Sequence, residues 1–403
     1  MQITLVLGVR SSGKSKYIKN VATHDCKVFQ IENDCNLENL QKKVAQLLID
    51  HPLTDELFLE LNITSINFEI IENIFKRFEN IQIVLVVCPF YIAAHRSITL
   101  DCLLNNLHPN KVVEKHFSFQ FLNSYLENLL KMNSKILVYN SFSDNFVDRQ
   151  EFFEHFNYIP SLPDLQKICF DENYQAIEVD GERLGGDTEF EITSQIILEN
   201  YDFKDKLVLD CGCNFGGIAH TIAMSCPTAF VYGLDNHQVR SDVSSIISIK
   251  KNLERRTFFA EFDITSLPFK NSISVILCLN VLHHLSEDAE DLFFKLLSSE
   301  SDIILELELS KSFSGGFDYS EEIELSNGLN GRFWRPSVQY VIRNATDNGY
   351  SITVVPSVRR NRKIFILRKD GLGNVQTVTS LKYLLIKFLR RSRGLYKRLA
   401  KFT

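Results

Sequence analysis

LVLDCGCNFGGIA, residues 207 to 219, decides how this chain is read. An apolar run ends on the carboxylate of Asp210 and opens onto a loop with glycines at 212, 216 and 217. Strand, acid, glycine-rich turn and helix in that order mark the carboxyl edge of an open α/β sheet, where nucleotide-like ligands lie. A dinucleotide loop wants G-x-G-x-x-G, because its backbone must approach a pyrophosphate closely. Here Asn214 stands where the second glycine belongs, and the loop reads D-C-G-C-N-F-G-G. A ligand without a pyrophosphate suits it better.

Working outward, the segments KLVLDCG, FVYGLD, RTFFAEFD, ISVILCLN, DIILELEL, SITVVPSV and KIFILRK read as strands. The last two are close enough in sequence to pair antiparallel. Asp235 ends FVYGLD, 19 residues past Gly216, where a carboxylate can take both hydroxyls of a ribose. Asp263 follows the third strand and Asn280 ends the fourth.

The loop, with acids on successive strand ends, resembles the cofactor site of class I S-adenosylmethionine-dependent methyltransferases. The resemblance implies that Gly212, Cys213 and Gly216 curve around the methionyl and ribose parts of S-adenosylmethionine. Asp210 would then face the ammonium end through water or backbone, and Asp235 would hold the ribose. Asp263 would lie beside the adenine amino group, Ile264 would lie against the ring, and substrate-side residues would begin at Asn280. YQAIEVDGERLGG (174–186), ILELEL (304–309) and GRFWRPSVQYVIRNATDNGY (331–350) resemble one branch of these enzymes. That branch includes enzymes completing 5-oxyacetate-type modification of the tRNA wobble uridine, and relatives associated with sugar or polysaccharide synthesis. The likeness spans residues 165–370. The tRNA members use a carboxylated cofactor variant held by a basic residue, and none aligns clearly here.

His283 and His284 follow Asn280, and either imidazole could take a proton from a hydroxyl acceptor. Equally, the pair could pack or cap a helix. Arg332, Trp334 and Arg335, beside Pro336, form a cationic and aromatic cluster suited to an anionic acceptor. The alternative puts Trp334 in the core and the arginines in water.

A second loop, GVRSSGKS at residues 8–15, fits G-x-x-x-x-G-K-S through Gly8, Gly13, Lys14 and Ser15. It follows the strand ITLVLG and precedes a helical pattern, so its amides would cradle phosphates. Lys14 would reach the terminal ones and Ser15 would ligate magnesium of ATP or GTP. The strands of this first unit are ITLVLG, ELFLELNI, IQIVLVVC and KILVYNS, with helical patterns at 36–50 and 118–132. None ends in the expected magnesium-binding aspartate; Glu60 is the nearest acid. CPFYIAAHRSITLDCLL, residues 88–104, loosely resembles sulfotransferases, which would give Arg96 and Ser97 a donor phosphate to hold. A kinase-like NTPase, a sulfotransferase-like domain and a non-catalytic nucleotide-binding scaffold all remain open.

The expected architecture is therefore α/β. It comprises a P-loop α/β domain at 1–157, a Rossmann-like seven-stranded methyltransferase domain at 165–370, and a basic amphipathic helix at 380–403. Leu381, Leu385, Phe388, Leu395, Leu399 and Phe402 share one stripe of that helix. Residues 381–403 hold eight of the 44 Lys and Arg and no acid, which leaves 36 basic against 50 acidic residues elsewhere. Such a tail suits an anionic membrane surface, an RNA such as tRNA, or docking on the body. The acidic remainder is a poor general surface for nucleic acid. No apolar run approaches the ~20 residues of a spanning helix. The nine cysteines include no C-x-x-C pair, which fits free thiols in a reducing cytosol. The expected location is cytoplasmic, peripheral at the membrane if the tail binds lipid. The expected methyl acceptor is a small molecule or a glycan, with tRNA the rival.

Overall fold

The computed structural model describes residues 2–8, 17–18, 27–30, 56–62, 81–87, 89–105, 107–110, 112–113, 136–141, 145–148, 159–172, 176–185, 190–269, 272–310, 316–324, 330–359 and 361–378. They fall into two compact units, Met1–Ile98 with Asn110–Ser161, and Thr99–Pro109 with Leu162–Thr403. Gly13, Lys14, Ser15, the helical patterns at 36–50 and 118–132, and the tail at 380–403 lie outside the described residues.

In the first unit, β1 (Gln2–Gly8), β2 (Lys27–Gln30), β3 (Glu56–Asn62), β4 (Ile81–Val87), β5 (Ile136–Asn140) and β6 (Asn145–Val147) form one sheet. Its order is β2-β3-β1-β4-β5-β6. Neighbours pair parallel except β6, which runs antiparallel to β5. Interior parallel strands are covered on both faces and so read as unbroken apolar runs, which is why IQIVLVV needs no alternation. Val6, Val84, Val86 and Tyr139 pack with Tyr17 and Ile18 in one buried cluster. The chain leaves β1 at Gly8, between β3 and β4, where the strand order reverses. Helix α1 (Phe90–Asn105) follows β4 and carries Arg96 and Ser97, both buried. Strands β2 and β6 are four and three residues long, too short for a pattern to announce them.

The second unit opens with α2 (Leu162–Glu172), the hairpin β7 (Ala176–Val179) and β8 (Glu182–Gly185), and α3 (Glu191–Asn200). Alternation follows: β9 (Leu207–Cys211), α4 (Gly217–Ser225), β10 (Phe230–Asp235), α5 (Gln238–Lys250), β11 (Thr257–Glu261), β12 (Val275–Leu279), α6 (Asp288–Leu297) and β13 (Asp302–Glu308). Then come the hairpin β14 (Phe317–Glu324) and β15 (Asn330–Pro336), α7 (Val338–Asp347), β16 (Ser351–Pro356), β17 (Arg362–Arg368) and β18 (Val375–Thr377).

The main sheet runs β11-β10-β9-β12-β13-β17-β16-β18. Strands β9 to β13 are mutually parallel, so each returns through a crossover helix or turn. Only five residues separate β16 from β17, too few for a crossover. They pair antiparallel, and β17 slots between β13 and β16. All seven strands expected for this unit are present in that sheet; the two hairpins and β18 were not expected. The order reverses between β9 and β12, which puts the 210–217 loop at a topological switch point. Among the described residues, no helix is long and apolar enough to cross a membrane.

Candidate functional site

The loop after β9 is built for close approach. Gly212 sits at φ +72°, and a Cβ there would lie 2.4 Å from Val281 Cγ2. Gly216, at φ +70°, caps α4; a Cβ would meet the Phe259 ring at 2.8 Å and His220 at 2.9 Å. Both positions need glycine twice over, for conformation and for space. Asn214 takes φ +52°, a left-handed conformation asparagine tolerates better than most residues. The loop's amides are held within the protein: the Gly212 and Cys213 N–H groups donate to Leu234 O at 2.7 and 2.9 Å, and the Gly216 N–H donates to Cys213 O at 2.9 Å.

Asp235 ties this loop to the neighbouring strand. Its Oδ2 accepts the Asn214 N–H at 2.9 Å and its Oδ1 accepts the His237 N–H at 3.1 Å. Arg240 Nη1 stands 3.7 Å from Oδ1. Burial raises the Asp235 pKa, while Arg240 and the two amides pull it down. Each carboxylate oxygen keeps a second lone-pair site, so the ribose reading of Asp235 stays compatible with these bonds.

Asp210 is different. Its side chain is 3% exposed, and among the described residues no hydrogen bond reaches its carboxylate. Desolvation, then the Asp235 charge, pushes its pKa up to about 7. A buried acid without donors is costly unless a ligand supplies them. Cys213 is buried beside it, and burial raises its thiol well above the ordinary range, so it lines the loop as a neutral group.

Asp263 is exposed and caps the short turn Ile264–Ser266, accepting from Thr265 N at 3.0 Å and Thr265 Oγ1 at 2.8 Å. Ile264 is buried on the same turn. Asn280, at φ +62°, donates from Nδ2 to Glu306 and accepts at Oδ1 from Arg362. It thus links the end of β12 to β13 and β17. Val281, the next residue, is the side chain packed on Gly212, which sets this segment directly against the glycine loop.

His283 and His284 stack at 4.0 Å between ring centroids, with Phe333 at 5.6 and 5.7 Å. His283 is buried, and its Nδ1 has no partner. Desolvation first, then His284, Arg362, Arg359 and Arg335, lower its pKa to about 2. His284 presents part of its surface to solvent; desolvation of its ring first, then Arg362, lower its pKa, with Glu308 opposing. Neutral at physiological pH, His283 accepts a hydrogen bond or proton only weakly while those cations surround it.

The 332–335 cluster does not hold together as expected. Trp334 is 0% exposed and packs against Phe293 and Phe317 at 5.6 and 6.1 Å, so it is a core residue and presents no face to an acceptor. Arg332 is exposed, while Arg335 turns to Glu308 at 2.8 Å and lies over Phe333 at 5.4 Å. Successive strand residues face opposite sides, which separates Trp334 from its neighbours. Four residues join the site that sequence reading passed over: Glu306, Glu308, Arg359 and Arg362. An acid inside an otherwise apolar parallel strand, as in DIILELE, was the available signal, because such a position is normally apolar.

Residues 208–299 match the family described as a methyltransferase domain. The match spans β9 to α6, with the glycine loop and Asp210, Asp235, Asp263 and Asn280. Within the second unit these 92 residues are thus similar to a methyltransferase domain. An uncharacterized protein of Methanocaldococcus jannaschii is 33% identical over 98 residues, 24% of this chain and 38% of that protein. The chain thus spans well under half the length of that curated relative. Among solved structures, the N-terminal domain of EvdMO1 with SAH bound is 14% identical at TM-score 0.40, covering 55% of this chain and 95% of that one. Magnesium protoporphyrin IX methyltransferase from Synechocystis with bound SAH is 20% identical at TM-score 0.34, covering 44% and 81% respectively.

The residues at the end of β9 fit S-adenosylmethionine by their own chemistry. The fit consists of a glycine turn at the sheet's switch point, packed too tightly for any Cβ, and a buried carboxylate with no donor among the described residues. Gly212, Asn214 and Gly216 would follow the ligand backbone, with Asp210 toward its cationic end and Asp235 toward its ribose. Among the described residues no group of acids, histidines and cysteines could hold a metal ion.

Proposed function

We propose that this chain transfers a methyl group from S-adenosylmethionine to a small-molecule or glycan-linked acceptor at the carboxyl edge of the eight-stranded sheet. One observation carries the reading. Asp210 is buried, with no donor among the described residues, beside a turn that only glycine permits and within the stretch similar to a methyltransferase domain. When bound, S-adenosylmethionine supplies a sulfonium methyl that an acceptor lone pair takes while the C–S electron pair stays on sulfur. The chain's part is chiefly to position, since in-line displacement at an activated carbon depends on alignment more than on acid–base help. Asp235 fixes the loop, Val281 packs on it, and Asn280 connects it to Glu306 and Arg362.

For the first unit the proposal is a nucleotide-binding, kinase-like domain, with Gly8 at the sheet's switch point as its support. Phosphorylation and methylation of one saccharide end, by an enzyme whose basic tail sits on an anionic membrane at the cytoplasmic face, is the combined reading. A radiolabelled methyl-transfer screen over free sugars, lipid-linked glycans and tRNA tests the acceptor. Label in sugars or glycans supports the proposal; label confined to tRNA replaces it with RNA modification. Calorimetry with ATP and magnesium on wild type and Lys14→Ala tests the first unit, and equal binding by both sinks its P-loop reading.

A further inference from the structure

The carboxyl edge beside the glycine loop carries more cation than it neutralises. Arg335 and Arg362 converge on one carboxylate, Glu308, at 2.8 and 3.2 Å. The second acid there, Glu306, is fully buried and already accepts from Asn280 and Ser357. Arg359 follows two residues after Ser357, whose Oγ accepts its N–H at 3.0 Å. Among the described residues no acid is paired with Arg359, a half-buried residue. His283, two residues after the Val281 that packs on Gly212, is 2% exposed, has Phe333 at 5.6 Å, and among the described residues has no partner for Nδ1.

Two features of this arrangement point to a missing anion. A half-buried guanidinium without a counter-charge is unfavourable, and so is a buried imidazole nitrogen without a donor. The three arginines each disfavour charge on His283 through space. One anion held among them would relieve that repulsion and restore the imidazole as a hydrogen-bond acceptor.

Building on the methyl-transfer reading, we infer that Arg359, with Arg335 and Arg362, forms an acceptor subsite for a carboxylate or phosphate group, with the acceptor's hydroxyl presented to His283. His283 is then a positioning residue toward the acceptor, and Arg359 sets specificity for charge. Guanidinium forks suit both oxyanions, so the shared chemistry is a planar or tetrahedral oxyanion on a hydroxylated acceptor.

The test uses the full chain, 15N-labelled at histidine, with the His283 ring resonance assigned by His283→Gln. Inorganic phosphate and acetate are titrated at constant ionic strength against a chloride control. A saturable shift of the His283 signal, weakened about tenfold or more in Arg359→Gln and unchanged in the exposed-arginine control Arg255→Gln, is expected. Phosphate alone or acetate alone moving the signal assigns the oxyanion. A chloride response equal to both, or equal weakening in the two arginine variants, overturns the subsite. S-adenosylhomocysteine binding by calorimetry is run on the same samples. Its absence from wild type sinks the methyltransferase reading, whatever the anion result.

Discussion

The carboxylate of Asp235, on the last residue of β10, accepts the backbone N–H of Asn214 at 2.9 Å, across the gap to the loop after β9. The residue proposed to hold the ribose therefore also shapes the loop proposed to receive the rest of the ligand. Asp235→Ala should lose both roles: a buried N–H left without an acceptor costs about 1–3 kcal/mol of stability. Ligand affinity should fall roughly tenfold or more, at ~1.4 kcal/mol per decade. Asp235→Asn keeps an acceptor for Asn214 and should recover most stability but little affinity. Paired denaturant melts and S-adenosylhomocysteine calorimetry check this; parallel losses in both variants would contradict the double role.

Gly212 and Gly371 share φ +72°, yet a Cβ at Gly212 meets Val281 at 2.4 Å while one at Gly371 meets nothing within 4 Å. Alanine at either position pays the same conformational strain, about 1 kcal/mol. Only Gly212→Ala adds a steric clash, and it should be less stable than Gly371→Ala by a further ~1–3 kcal/mol. It should also lose ligand binding, which Gly371→Ala keeps. Equal melting temperatures for the two variants would show that Val281 yields freely and that the loop tolerates a side chain.

Asp210 has a folded-state pKa near 7 against an ordinary value of 3.8. Between those values the folded chain holds a proton that the unfolded chain has shed. Its contribution to stability therefore falls as pH rises from about 4 to 7. Asp210→Asn should be more stable than wild type at pH 8 and nearly equal at pH 4. A cationic ligand favours the ionised acid, so binding S-adenosylmethionine near pH 6.5 should expel a proton. Calorimetry in two buffers of different ionisation enthalpy measures that release, and Asp210→Asn should abolish it. A release unchanged in the variant would assign the proton elsewhere.

His283 works in the opposite sense. Its pKa is lowered from 6.5 to about 2, so below pH 6.5 the unfolded chain gains a proton that the folded chain refuses. Stability is lost as pH falls through that range. His283→Gln should flatten the drop in melting temperature between pH 7 and pH 5. His284 shifts the same way and Asp210 the other, so the comparison is made against His284→Gln and Asp210→Asn as well. An unaltered acid slope in His283→Gln would mean that another group refuses the proton.

How far the sequence carried the structure depends on the range of each interaction. Strands β9 to β13 were legible because buried parallel strands are continuous apolar runs, and Asp210 and Asp235 because each ends such a run. β14 and β15 were not, since their aromatic packing is long-range: Phe317 meets Tyr340, 23 residues away, and Trp334 meets Phe293, 41 residues away. Asn280 was placed correctly at a strand end, yet its partners, Glu306 and Arg362, lie 26 and 82 residues away. Arg362 reaches the site only because a five-residue connection forces β17 back beside β13. Sheet order had to be known before that arginine could be named.

Trp334 illustrates the remaining ambiguity and is open to direct measurement. It is the only tryptophan in the chain, flanked by Arg335 and Phe333, and sequence allowed it either a recognition or a packing role. The structure leaves it 0% exposed among Phe293, Phe317 and Tyr340, with ring centroids 5.6 to 6.3 Å away. Its emission should therefore be blue-shifted, insensitive to iodide in the native state, and red-shifted on unfolding. Phosphate or S-adenosylhomocysteine should leave iodide quenching unchanged. Trp334→Ala empties a large buried volume and should cost about 3–5 kcal/mol, whereas Trp334→Phe should cost less and keep ligand binding. Strong native-state quenching by iodide, relieved by an added acceptor, would instead place the indole in the binding surface.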